Sequence, residues 1–174
     1  MSGNPPGSMS APATSTLETP AGADGAATAS AVAFINRYPD AAMITSRADG
    51  TAHMARIELS VVDGRIRTSG SPKLVRMRHV RRDPRCSLFV FGPAPHWLGL
   101  ETRASILDGP DAPQLLLALM RSRHRDRTPP GMVLGHDYEL GQDRLYPEQE
   151  YLDHVRAEQR FVFDFEIIRA YGNW

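Results

Sequence analysis

Short stretches in which apolar and polar residues alternate recur along the chain after residue 40. Alternation with a period of two is typical of a half-buried β-strand. Asp-Gly pairs at 49–50 and 63–64 separate the first three stretches and favour hairpin turns. Three antiparallel strands in a row, then a helix and two more strands, predict a barrel or sandwich rather than a parallel sheet. The six predicted strands cover residues 41–47, 52–62, 65–69, 86–91, 96–107 and 160–171.

Four other segments have helical features: residues 26–38, 73–83, 111–124 and a segment that begins at Pro147. The third of these helices carries an apolar stripe that belongs to the core or to a dimer contact. The stripe consists of Leu115, Leu116, Leu119 and Met120. Residues 125–141 are predicted to form a long loop, and such a loop is often a lid, a partner-binding arm or a partly mobile segment. The pattern as a whole predicts a mainly β domain with flanking helices, of the α+β class.

The first 28 residues differ in composition from the rest of the chain. They are rich in Pro, Gly, Ser, Thr and Ala and almost free of large apolar residues. We therefore predict a disordered tail over residues 1–28 and one domain over 29–174. The tail lacks the features of a signal peptide, and no apolar run is long enough to cross a membrane, so we expect a cytoplasmic protein. The single cysteine, Cys86, cannot form a disulfide within the chain.

Positive charge is concentrated between Gly64 and Arg85. This stretch has eight basic residues and one acid, although the formal net charge of the whole chain is zero. A neutral total argues against general nucleic-acid binding, whereas a local basic cluster permits one anionic ligand. Four of the arginines cannot all converge on one ligand and are expected to form a solvated helix face. These four are Arg78, Arg81, Arg82 and Arg85.

A Gly-Ser-Pro turn inside the basic stretch is the strongest candidate site. A strand, a polar turn and a helix start can present backbone N–H groups, a hydroxyl and a lysine to one anion, most often a phosphate. Ser71 and Lys73 are the best candidates, and Arg76 lies one helical turn beyond Lys73. Arg56 in the second strand is a further candidate if it points inward, because a buried arginine is rare unless an anion meets it.

Other chemistries have little support in the spacing of the residues. The six histidines never fall into a metal-ligand spacing and there are no paired cysteines, so a metal site is not expected. The Gly-x-Ser-x-Gly pattern of a nucleophile elbow is absent. His136 and Asp137 could form an acid–base pair near a pocket. Adjacent residues of an extended segment point in opposite directions, however, so a surface position is favoured for them.

Three sequence segments, TSRADGTAHMARIEL, DGRIRTSGSPK and RHVRRDPRCSLFV, resemble a known superfamily. They are similar to the split-β-barrel flavin and deazaflavin oxidoreductases of the pyridoxamine 5′-phosphate oxidase superfamily, and most of all to the branch that uses coenzyme F420. The resemblance extends from about Ala31 to the end of the chain. It implies a six-stranded antiparallel split β-barrel, also called an FMN-binding split barrel. It also implies a homodimer with a cofactor groove at the interface.

The resemblance also implies which residues hold the cofactor. In such proteins the phosphate contacts side chains of the second and third strands and basic residues at the start of the following helix. The corresponding residues here are Arg56, Thr68, Ser71, Lys73 and Arg76. Relatives usually have Asn where this chain has His79, and an aromatic residue or Pro in the second strand where it has Arg56 and Glu58. These differences concern the side of the site that faces the cofactor ring, and hence the substrate.

The implied activity is that of an F420-dependent reductase, which transfers a hydride between the deazaflavin and a small conjugated acceptor. An FMN-dependent oxidoreductase is the alternative, because a mononucleotide phosphate would use the same basic residues. Arg78, Arg81 and Arg82 at the groove mouth favour F420 through attraction to its polyanionic tail. No catalytic side chain is predicted.

Two non-catalytic interpretations also remain open. The same barrel could bind a flavin or haem without turnover, and haem would take His79, His96 or His136 as its axial ligand. Alternatively, the fold has lost cofactor binding and serves as a dimeric scaffold. The presence of Ser71 and Lys73 argues against the scaffold.

Overall fold

The computed structural model describes residues 17–20, 29–124, 127–137 and 141–174. Its helices are α1 (Ala29–Arg37), α2 (Val75–Arg82), α3 (Ala112–Arg123) and α4 (Glu148–Ala157). Its strands are β1 (Leu17–Pro20), β2 (Asp40–Ser46), β3 (Ala52–Glu58), β4 (Ser60–Val62), β5 (Arg65–Gly70), β6 (Arg85–Phe91), β7 (Trp97–Leu107), β8 (Met132–Asp137), β9 (Gln142–Pro147) and β10 (Phe161–Asn173).

One curled antiparallel sheet forms a half-barrel in the order β3-β2-β6-β7-β10-β5-β4. The strand count differs from the six that were predicted, and the first three predicted strands do not lie side by side in the sheet. The stretch 52–62 is two strands, and Leu59 separates them: β3 pairs with β2, whereas β4 pairs with β5 at the opposite edge of the sheet. Leu59 is buried, and its N–H donates to the carbonyl of Pro39. This buried residue carries the chain from one edge of the sheet to the other.

The core of the barrel follows from the alternation in each strand. Inward positions such as Met43, Leu88 and Phe163 are almost fully buried, and their neighbours in sequence face outward. β10 contains a register shift between Ile167 and Arg169, which changes the residues that face inward along its second half. The 13-residue strand β10 can therefore pair with β5 in its first half and with β1 in its second half, and with β7 along its length.

A second apolar cluster lies beside the barrel, between α3, α4 and a hairpin of β8 and β9. The prediction of a loop over residues 125–141 is wrong for Met132–Asp137, which form the first strand of this hairpin. Val133 packs into the cluster, and Gly131 takes a positive φ before the strand. Glycine and proline in the segment predicted a loop, but they mark only the turn that precedes a short strand. The stripe on α3 packs largely in this cluster, so it is a core stripe.

The N-terminal end of the described chain is a strand as well. Leu17–Pro20 pairs with residues 169–172 of β10. The remainder of the predicted tail, residues 1–16 and 21–28, lies outside the described part of the chain. Within that part, no helix is long and apolar enough to cross a bilayer.

Candidate functional site

The turn between β5 and α2 is shaped by the packing of its first residue. A Cβ atom at Gly70 would lie 2.2 Å from the Cε2 atom of Phe161, so the strand can end there only with glycine. The N–H of Leu74 then donates to the carbonyl of Ser71, and α2 begins without a side-chain cap. Ser71 and Lys73 therefore stand at an open helix start, where backbone N–H groups lack partners from the helix itself.

All five residues predicted to hold a cofactor phosphate line one cavity of about 540 Å³. A cavity of this volume is within the range that binds small cofactors. β3, β5 and the start of α2 form one wall, and this wall carries Arg56, Thr68, Ser71, Lys73 and Arg76. We name it the turn wall.

These five side chains differ in their availability to a ligand. Lys73 is exposed and Arg76 is half-buried at the mouth of the cavity. The hydroxyl of Thr68 is buried and donates to the carbonyl of Glu58 over 2.7 Å. Arg56 is exposed and forms an ion pair of 2.9 Å with Asp40, so it does not reach the cavity as a buried cation.

A second wall comes from α3, the β8–β9 hairpin and α4, and the sequence analysis missed most of it. Its polar side chains are Arg123, His124, His136, Asp143, Tyr146, His154 and Glu158. We name it the hairpin wall. No sequence spacing connects these residues, because three separate elements bring them together by packing. A prediction of the β8–β9 hairpin would have revealed part of this wall, because the hairpin places His136 directly opposite Asp143.

The two walls meet at an ion pair between Arg123 and Glu58. The Arg123 Nε atom lies 3.2 Å from Glu58 Oε1, and its Nη2 donates to the backbone carbonyl of Glu58. Burial raises the pKa of Glu58, although Arg123 acts in the opposite direction. The pair links the end of α3 to the end of β3 and so holds the two walls of the cavity together.

Two histidines of the hairpin wall have carboxylate partners. His136 Nδ1 lies 3.0 Å from Asp143 Oδ1. His154 Nε2 lies 3.5 Å from Glu158 Oε2, and its ring stacks on the ring of Tyr146. In contrast, burial, together with two neighbouring arginines, lowers the pKa of His124.

Solved structures with a similar architecture identify the fold. A conserved hypothetical protein of Mycobacterium tuberculosis is 21% identical, with 89% of this chain and 90% of that chain covered and a TM-score of 0.61. An F420 reductase matches at 14% identity, with 79% and 93% covered and a TM-score of 0.52. A candidate pyridoxamine 5′-phosphate oxidase from Listeria innocua matches at 13% identity, with 80% and 91% covered and a TM-score of 0.52.

The chain has the split β-barrel fold of the pyridoxamine 5′-phosphate oxidase-like superfamily. The fold predicted from the sequence is thus confirmed, with the strand order corrected as above. No protein-family model matches the sequence, and no curated protein is significantly similar to it.

The basic face of α2 in this split barrel is largely engaged by the protein itself. Arg81 pairs with Asp108 at 2.8 Å, and Arg82 donates to the carbonyl of Ser46. Arg85 forms a bidentate pair with Asp83 just after the helix. These contacts fit a solvated structural face. Asp108 and Asp83 offset the charges of Arg81 and Arg85, whereas the carbonyl of Ser46 leaves the charge of Arg82 in place.

His79 lies on the buried face of α2. Its Nδ1 atom lies 2.9 Å from the hydroxyl of Thr45, and its ring meets that of His53 edge-on. Burial lowers the pKa of His79, with a smaller contribution from His53. Within residues 29–124, 127–137 and 141–174, no cluster of three or more His, Cys, Asp or Glu could hold a metal ion.

Proposed function

We propose that this split barrel is an F420-dependent reductase that transfers a hydride between the deazaflavin and a small conjugated acceptor. The observation that carries the proposal is the turn wall, where Ser71, Lys73 and Arg76 meet at an open helix start beside a cavity of about 540 Å³. An F420 reductase among the solved structures with this fold supports the choice of cofactor.

The residues of the turn wall suit an anionic group. Backbone N–H groups at the start of α2 and the cationic side chains of Lys73 and Arg76 would bind a phosphate. The buried Thr68 would hold β5 against the end of β3 behind it, through its bond to the Glu58 carbonyl. When bound, the reduced cofactor supplies the hydride. The protein would fix its position, keep water out of the cavity and align the acceptor.

FMN remains the second candidate, and a specific observation favours it. Arg81 and Arg82, which were expected to attract the tail of F420, are held by Asp108 and by the Ser46 carbonyl. A mononucleotide phosphate needs only the turn wall. The fold is the same for either cofactor, so binding experiments have to distinguish them.

We further propose that the protein is a homodimer that associates through the outer face of β3, β2 and β6. Met54 and Phe91 are exposed there, at 72% and 50% of their surface. Phe89 precedes Phe91 by two residues on β6 and stacks on Trp97 of β7 at a centroid distance of 5.4 Å. An apolar face that is exposed in this way is typical of a protein interface.

The decisive experiment is a fluorescence titration of the purified protein with F420 and, separately, with FMN. We expect micromolar or tighter binding of F420, about −8 kcal/mol or more. Lys73→Ala should weaken it at least about tenfold, or about 1.4 kcal/mol. Arg103→Ala is the matched control, because Arg103 is an exposed cation of β7 that does not line the cavity. If only FMN binds, FMN takes the place of F420 in the proposal. If neither binds, the oxidoreductase proposal is wrong.

A further inference from the structure

Reduction of a conjugated acceptor requires a proton as well as a hydride. The source of that proton is inferred on the basis of the proposed function. The turn wall is a poor source, because lysine and arginine retain their protons near neutral pH. The hairpin wall on the other side of the cavity has side chains that exchange protons in this range.

His136 and Asp143 form a pair on the hairpin wall. They are directly opposite each other on β8 and β9, and the Nδ1 and Oδ1 atoms are 3.0 Å apart. A carboxylate at Nδ1 orients the ring and fixes its tautomer, so proton exchange with a bound molecule would take place at Nε2. The side chain of His136 is 41% exposed, so it can also recover a proton from water.

Other titratable groups of the cavity are less suitable as acids. Glu58 is engaged by Arg123 at 3.2 Å. The lowered pKa of His124 keeps that ring neutral, because burial and the nearby arginines disfavour its charged form. His154 is stacked on Tyr146, and its contact with Glu158 is long, at 3.5 Å. His136 is the histidine that combines a close carboxylate, partial exposure and a place on the cavity wall.

We propose that His136, oriented by Asp143, donates the proton that completes reduction of the acceptor. The acceptor gains a hydride at its β-carbon from the reduced deazaflavin or flavin, which is oxidised by two electrons. The proton on Nε2 of His136 goes to the α-carbon, so that one C–H bond forms from each source. The neutral imidazole then takes a proton from water.

The first test needs no turnover. Diethylpyrocarbonate modifies accessible histidines, and mass spectrometry of peptides gives the rate at each position. Bound F420, or FMN if the titration selects it, should slow modification of His136. His96 is exposed and does not line the cavity, so its rate should stay the same. Equal rates at His136 with and without cofactor would overturn the proposal.

The second test is a single turnover under anaerobic conditions, with chemically reduced cofactor and 2-cyclohexen-1-one as the acceptor. His136→Gln should lower the rate constant by about 100-fold or more, the usual contribution of a general acid, without a change in cofactor affinity. Added imidazole should restore part of the rate in His136→Ala. Asp143→Asn should have a smaller effect, and His96→Gln should have none.

The outcomes separate this inference from the proposed function. Normal cofactor affinity with an unchanged rate constant in His136→Gln overturns the role of His136 and leaves the cofactor site intact. Cofactor binding without any turnover by the unsubstituted protein also counts against a proton-transfer site. Failure of the unsubstituted protein to bind either cofactor overturns the proposed function itself.

Discussion

The hydroxyl of Thr68 donates a hydrogen bond to the backbone carbonyl of Glu58 over 2.7 Å. This bond links the middle of β5 to the last residue of β3, beside the point where the chain crosses between the edges of the sheet. The same carbonyl accepts a bond from Arg123. A residue that was predicted to bind a phosphate is therefore also a structural connection.

Replacement of Thr68 with valine tests these two roles. We expect Thr68→Val to lower the free energy of unfolding by about 1 kcal/mol, because a buried hydrogen bond is lost while Arg123 still serves the carbonyl. Thr68→Ser keeps the hydroxyl and should retain most of the stability. Urea denaturation measures both. A loss of cofactor affinity in Thr68→Val at unchanged stability would show that the hydroxyl binds the ligand instead.

Gly70→Ala should destabilise the protein and weaken cofactor binding together. The added Cβ atom would overlap the ring of Phe161, and overpacking of this kind typically costs about 1–3 kcal/mol. Gly109→Ala is the matched control, because nothing lies within 4 Å of its new Cβ atom. Thermal unfolding and the F420 titration provide the measurements. Equal stability of the two variants would contradict the packing described for the turn.

The pKa of His79 gives a pH dependence with a definite sign. Because burial lowers this pKa from its ordinary value of 6.5, the unfolded chain binds a proton first as the pH falls. The free energy of unfolding should therefore fall as the pH drops below 6.5, until the folded protein is protonated too. His79→Gln should reduce this fall and leave a remainder from His124, whose pKa is lowered as well. Chemical denaturation between pH 7.5 and 5, about the range of imidazole titration, would measure it. An unchanged pH profile in the variant would contradict the prediction.

Asp164 holds two arginines of β5, and its loss should be costly. Arg67 Nε lies 2.8 Å from its carboxylate, Arg65 binds the second oxygen, and the aspartate is buried. Asp164→Asn should lower the free energy of unfolding by about 3 kcal/mol, because it leaves two cations without compensation. Asp108→Asn breaks the exposed pair with Arg81 and should cost less than about 1 kcal/mol. Similar losses in both variants would contradict the distinction.

The proposed dimer face can be tested by charge. Met54→Glu places a carboxylate in the exposed apolar face of β3 and should shift sedimentation toward the monomer. Leu145→Glu introduces the same charge at an exposed leucine of β9, outside that face, and should leave the oligomeric state unchanged. If the unsubstituted protein is monomeric at all concentrations, the proposed dimer is wrong.

The turn wall could be predicted from the sequence because it is almost local. Ser71, Lys73 and Arg76 lie within six residues, and the glycine and proline around them define how a strand passes into a helix. Thr68 came from the resemblance, whereas Arg56 came from the rarity of buried arginines. Thr68 lines the cavity, but the sequence could not show that Asp40 holds Arg56 at the surface.

The hairpin wall could not be predicted in the same way. Its residues are brought together by tertiary packing of elements up to thirty residues apart, and periodicity carries no information about such distances. The break at Leu59 was missed for a related reason. The stretch 52–62 has the pattern of one strand, and only the curvature of the sheet decides that its two parts belong to opposite edges.

The crossing at Leu59 has a consequence for how the barrel closes. The outermost strands of the sheet, β3 and β4, are joined by a single residue, so their ends cannot separate far. The entropy required to bring two chain segments together grows with the length of the loop between them, and here that loop is as short as it can be. Once the β2–β3 and β4–β5 hairpins have formed, the two edges of the sheet are already tethered. Closure of the barrel then requires no additional loop to be ordered.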